Sequence, residues 1–160
     1  MVKKVEPQCI DGILITVKNM KKEVKQVIVM RIDTEPKMRR GKSCAQAAHA
    51  SLAVLLDRLM PPYETRQNLG GGSIIVNEIL REGEPMYEWL TNSFVKIVLQ
   101  GTLTDVVDSY NKAKADGIPC ALIEDKGLTE FGGEITITCC AIGPDDPEKI
   151  DKITGHLKLL

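Results

Sequence analysis

The sequence predicts a three-layer α/β fold built on a mixed, mostly parallel sheet. Three observations lead there. Strand-like apolar runs at 24–33, 93–101 and 120–125 alternate with helical patterns at 43–60 and 102–117, the order that lays helices on the faces of a parallel sheet. The run VKQVIVMRID (24–33) is continuous enough to be covered on both faces. A last run at 134–143 follows 120–125 through a link too short for a crossover helix, so that pair should be antiparallel or the sheet mixed.

In chain order, GILITVK (12–18) alternates as a short strand, an extra N-terminal edge for this sheet, and NMKKE follows as a polar turn. Helix 43–60 stops at Pro61 and Pro62. Its first half carries Ala45, Ala47, Ala48, Ala50 and Ala53, small side chains that let a helix lie close on a sheet. Residues 61–85, with proline at both ends and three glycines in the middle, read as an insertion. A short helix at 85–92 precedes strand 93–101. Helix 102–117 has Thr102 or Thr104 as N-cap and Gly117 as its stop. After strand 120–125 come a glycine-bearing loop, strand 134–143, and a helix at 145–154 with Pro147 in its first turn. The segment TGHLKLL reads as a closing strand, with His156 structural, and Trp89 as a hydrophobic anchor. At 160 residues the expectation is one domain, with 1–23 as an N-terminal extension.

Composition narrows the function. A chain 43% hydrophobic and 27% charged is an ordinary soluble protein. One Trp, three Tyr and two Phe make an aliphatic core and leave few rings for stacking bases. A net charge of −1 excludes a globally basic nucleic-acid binder, so such a partner must meet a local patch. No apolar run approaches the roughly 20 residues of a membrane span, and MVKKVEPQCI lacks a signal-peptide core, so a cytoplasmic protein with no membrane partner is expected. The five cysteines, without a C-x-x-C, read as reduced thiols, buried by default. Two histidines 107 positions apart make no ligand pattern, so neither metal nor other cofactor is expected.

MRRGKSCAQAAHAS (38–51) holds the most suggestive motif. GKS after a strand and at a helix head is reminiscent of a phosphate-binding loop. That loop needs a first glycine five residues before Gly41, where this chain has Pro36, which has no N–H to offer a phosphate. A nucleotide site of that type is excluded. What survives is charge: Lys37, Arg39, Arg40 and Lys42 place four cations within six residues at a helix N-terminus, where anions are favoured. The plainer reading is a solvated basic turn, but Lys42 opposes the helix dipole there, which points to a use beyond stability.

GKSCAQAAHAS (41–51) resembles the G-K-x-x-A-Q-x-A-H-A helix start of the archaeal and eukaryotic type of peptidyl-tRNA hydrolase. GIPCALIEDKGLTEF (117–131) is similar to that family's G-x-x-x-x-L-I-x-D-x-G-x-T segment, and AIGPDDPEKIDKITGHLKLL (141–160) to its A-I-G-P…D-K-[IV]-T-G-H-L-K-L ending. The resemblance covers roughly 24–56 and 87–160 in three ordered blocks. It implies a mixed four-stranded sheet between helices and hydrolysis of the ester joining a peptide to the 3′-terminal ribose of tRNA. It also implies no metal and a homodimer. By position in these motifs, the catalytic residues would be Lys42, Asp125, Thr129 and Thr138, with Thr136 a rival to Thr138. Leu128 stands where the family usually carries arginine.

An aminoacyl ester is already activated, so a hydrolase must chiefly position water and stabilise the oxyanion. Lys42 suits the oxyanion or a terminal phosphate; Asp125 with Thr138 suits the water. Asp125 alternatively fixes Lys42 by an ion pair. Lys37, Arg39 and Arg40 would meet tRNA, Gln46 sits one turn from Lys42, and His49 lies nearly two turns away on about the same face. Cys44, near the helix N-terminus and its cations, supports a rival thiol nucleophile. A second rival is a non-catalytic tRNA-binding or protein-interaction module on the same fold.

Overall fold

A computed structural model describes residues 8–10, 13–15, 23–60 and 80–160. The central strand β3 (Lys25–Arg31) turns Val27 and Val29 to one face and Ile28 and Met30 to the other, all buried as the unbroken apolar run requires. Ile28 and Met30 meet α1 (Arg40–Leu59) and α2 (Pro85–Glu88) in one core, joined there by Trp89, Cys139 and Ala141. Val27 and Val29 join Val106 and Ala113 of α3 (Leu103–Ala115) and Ile150 and Ile153 of α4 (Pro147–Thr154) in the other. The result is the expected three layers.

The sheet also contains β4 (Lys96–Gly101), β5 (Cys120–Asp125), β6 (Thr136–Asp145) and β7 (Lys158–Leu159), in the order β5-β6-β3-β4-β7. It is mixed, as expected, with five strands rather than four, because the chain end returns beside β4 as the short edge β7. β3 and β4 pair in parallel, whereas β6 is antiparallel to both β3 and β5. Thus β3, β4 and β5 share a direction, but three of the four pairings are antiparallel, so the sheet is mixed without being mostly parallel. The reversed β6 sits between β3 and β5, so β3 and β4 make the one parallel pair in this sheet. The short link after β5 forces that reversal.

The N-terminal expectation needs correction. β1 (Gln8–Ile10) and β2 (Ile13–Ile15) pair with each other, in register Gln8 with Ile15 and Ile10 with Ile13, as a separate two-stranded sheet. Of the expected strand 12–18, Ile13–Ile15 is described, and it finds a local partner in Gln8–Ile10 instead of the main sheet's edge. The predicted insertion 61–85 lies outside the described residues as far as residue 79.

Local chemistry sets the other boundaries. Thr102 caps α3 in a capping box with Asp105. Gly117, at φ 67°, closes that helix with Gly117 N–H on Lys114 O and Ile118 N–H on Ala113 O. A π-helical turn, Trp89–Ser93, continues α2 and ends at Phe94 with φ 49°, so β4 begins at Lys96 and not at 93. Trp89 is the expected anchor, 2% exposed with its indole N–H on Val95 O at 2.8 Å. Among the described residues no helix is long and apolar enough to cross a membrane.

Candidate active site

Three elements converge at the C-terminal end of β5. The first turns of α1 supply Lys42, Gln46 and His49, spaced so that they line one side of the helix. β5 ends on Asp125, and the loop behind it carries Thr129. With Ile123, Glu124, Lys126 and Leu128 these residues line an open cleft of about 400 Å³.

Asp125 is the hub. Its Oδ2 lies 2.5 Å from Lys42 Nζ and accepts from Gln46 Nε2 at 2.9 Å, while its Oδ1 accepts the Gly127 N–H at 2.8 Å. The Lys42 ammonium hydrogen bond does most to hold the Asp125 carboxyl below the ordinary aspartate range, against the opposing effect of burial; Gly127 and Gln46 help. Lys42 also donates to Thr129 Oγ1 at 3.3 Å, and its Nζ lies 5.6 Å from the centre of the Phe131 ring. Two acceptors leave one ammonium hydrogen free to meet a ligand.

Behind the cleft, Thr138 is fully buried and donates to Gln46 Oε1 at 2.7 Å, with Ile123 O at 3.3 Å as the longer alternative. That bond sets the Gln46 amide so that its NH₂ faces the carboxylate. A flipped amide would oppose its oxygen to Asp125. Thr138 reaches Gln46 because β6 carries a bulge: Ile123 pairs with Cys139 and Glu124 with Ile137, leaving Thr138 as the extra residue. The bulge aims Thr138 at α1 alongside Cys139, whose thiol meets Gln46 O at 3.4 Å. Thr136 instead bonds Glu134 O at 3.0 Å.

The loop after β5 is built to hold this geometry. Gly127 adopts φ 72°, and a Cβ there would meet Glu134 O at 2.3 Å. Its carbonyl accepts from both Phe131 N and Gly133 N. Glu130 Oε2 accepts the Arg39 N–H at 3.1 Å, and Arg39, the N-cap of α1, makes no side-chain cap of its own. One donor of the helix start, which lies at Arg40 and not Ser43, is thus satisfied by a residue far away in sequence.

Of the residues singled out from sequence, Lys42, Gln46, His49, Asp125 and Thr129 share the cleft, and Thr138 stands behind it. Arg39 and Arg40 are exposed at the helix start outside the cleft, and Lys37 borders a separate recess with Thr34 and Met38. Leu128 was marked only as a departure from the family's arginine, and Ile123, Glu130 and Phe131 carried no signal as site residues. Burial was the wrong expectation for Cys44, which is exposed on α1 and does not line the cleft. Cys139 and Cys140 are buried, and burial pushes their thiols up to about 11 and about 12. His156 is exposed in the turn before β7. Among the described residues no group of three or more His, Cys, Asp and Glu side chains is placed to hold a metal ion.

Residues 24–160 match the family described as peptidyl-tRNA hydrolase PTH2. The chain is 40% identical over 138 residues to a Methanocaldococcus jannaschii protein named peptidyl-tRNA hydrolase, covering 86% of this chain and 100% of that one. Relatives of the same name from Methanopyrus kandleri and Saccharolobus solfataricus are 37% and 36% identical, over 85% and 86% of this chain and 97% and 99% of theirs. The match starts at Val24, just before β3, and runs through the cleft to the last residue. The chain belongs to the PTH2 family of peptidyl-tRNA hydrolases.

Proposed function

We propose that this chain hydrolyses the ester between a peptide, or an N-blocked aminoacyl group, and the 3′-terminal ribose of tRNA. The observation that carries this reading is the Lys42, Asp125 and Gln46 cluster, open to the cleft on one side and braced by Thr138 on the other. Water adds to the ester carbonyl, the tetrahedral intermediate collapses, and the ribose oxygen leaves with a proton as free tRNA. The remaining ammonium hydrogen of Lys42 suits the oxyanion, because a fixed cation in a partly buried cleft stabilises developing charge. Asp125 is ionised throughout, so its part is to hold Lys42 and Gln46 and to accept a hydrogen bond from the attacking water. Thr138, with no exposure to the cleft, acts as a positioning residue through Gln46.

Lys37, Arg39 and Arg40 make the local basic patch that a chain of net charge −1 needs to meet tRNA, and His49, which lines the cleft, is a further candidate contact for the substrate. The same reading makes the protein a cytoplasmic homodimer without cofactor, its catalytic unit the single domain from Val24 onward. The test is turnover of N-acetyl-aminoacyl-tRNA by the wild type and by Lys42→Ala, Asp125→Ala and Cys44→Ser. Loss in the first two with full activity in the third supports the hydrolase. A wild type that binds tRNA but never releases the acyl group would make it a binding module.

A further inference from the structure

Leu128 is 81% exposed, yet it is not a loose surface residue. Its neighbours are each tied down: Asp125 to Lys42 and Gln46, Gly127 to Asp125 Oδ1, Thr129 to Lys42, Glu130 to the Arg39 N–H, and Phe131 in the interior. The loop therefore presents an uncovered leucine from a braced backbone, one residue from a Lys42 contact. Leu128 and Ile123 are the two aliphatic side chains lining the cleft.

We infer that Leu128, with Ile123, forms the subsite for the side chain of the esterified amino acid and favours apolar residues there. This rests on the hydrolase reading above. Next to the scissile carbonyl an ester substrate offers two groups, the acceptor end of tRNA and the acyl side chain. The anionic acceptor end is matched by Arg39, Arg40 and Lys37 around the start of α1. A leucine offers a phosphate nothing, and it gains only by shielding apolar surface from water. Glu124 and Lys126, of opposite sign on the same rim, confer no net preference for a charged acyl group.

The experiment compares one tRNA carrying N-acetyl-leucine, N-acetyl-glycine or N-acetyl-aspartate, with kcat/KM measured for wild type, Leu128→Ser and Leu128→Met. At this exposure the substitutions leave the fold intact. Covering part of a leucine side chain predicts that the wild type favours leucyl over aspartyl ester by roughly 5-fold. Leu128→Ser removes that preference by slowing the leucyl ester alone, and Leu128→Met keeps it. Equal slowing of all three esters by Leu128→Ser would place the leucine against the terminal adenosine and overturn the inference. So would an unchanged ratio. Absence of turnover of every ester by the wild type overturns the hydrolase reading, and the subsite with it.

Discussion

The hydroxyl of Thr138 donates to Gln46 Oε1 at 2.7 Å from a position with no solvent exposure. A group so placed can influence the reaction only through the amide it orients. Thr138→Val keeps the shape but leaves Gln46 Oε1 buried without its donor, which costs about 1–3 kcal/mol and frees the amide to turn. We expect kcat to fall at least roughly 10-fold with KM little changed, since a misplaced Lys42 and Asp125 affect the transition state more than substrate binding. Thr138→Ser restores the donor and most of the rate. A Thr138→Val enzyme that melts lower but turns over normally would reduce the residue to a packing role.

The pH dependence of stability follows from the lowered Asp125 pKa. The carboxyl sits below its ordinary 3.8 in the folded protein because Lys42 hydrogen-bonds the charged form. A folded pKa below the unfolded one contributes stability that is complete above 3.8 and lost as pH falls through the folded value. Melting curves should therefore show a gap between wild type and Asp125→Asn that is constant from neutrality to about pH 5 and closes below about pH 4. The same shift keeps Asp125 ionised at neutral pH, so an acid limb of kcat/KM near neutrality should not belong to it. Its disappearance in Asp125→Asn alone would show a raised, base-like carboxyl instead.

Much of this site was legible because its parts lie in short motifs. Lys42 and Asp125 were marked by the family resemblance, and helix periodicity then placed Gln46 and His49 on the same side as Lys42. Thr138 was harder. Strict alternation along 134–143 puts Thr136 and Thr138 on one face and Cys139 on the other. The bulge opposite Ile123 and Glu124 breaks that parity, and only the strand pairing reveals it. At the start of α1 the acceptor for Arg39 N–H was illegible for a similar reason, since it comes from Glu130. The sheet was read correctly in its alternation and its reversal. The closing strand expected in TGHLKLL is β7, but the edge it joins and the separate β1 and β2 pair depended on which edges were free, which a single strand's pattern does not encode.

Gly127→Ala tests whether the loop braces the site. The residue sits at φ 72°, and an added Cβ would meet backbone of Glu134 at 2.3 Å, a contact no flexible side chain can relieve. The left-handed conformation alone costs about 1–2 kcal/mol, and the clash adds to it. We expect a lower Tm together with a drop in kcat, because Gly127 N–H anchors Asp125 Oδ1. Gly132→Ala is the control: it also has positive φ, 61°, but nothing lies within 4 Å of its Cβ. It should lower Tm by the conformational cost alone and leave kcat near wild type.

The basic turn separates binding from stability most directly. Arg40 opens α1, Arg39 caps it, and the first turn contains no acidic residue. Cations at a helix N-terminus oppose its dipole, so Arg40→Ala should leave Tm unchanged or raise it slightly, by up to about 1 kcal/mol of stability. Arg39→Ala keeps the backbone N–H that Glu130 holds. If these side chains and Lys37 meet tRNA phosphates, each alanine variant should weaken binding and lower the slope of log K against log salt by about 1. Filter binding of deacylated tRNA from low to moderate salt measures both quantities. Variants that bind with unchanged affinity and unchanged slope would mean that these cations contact no phosphate, and that the patch is only a solvated turn.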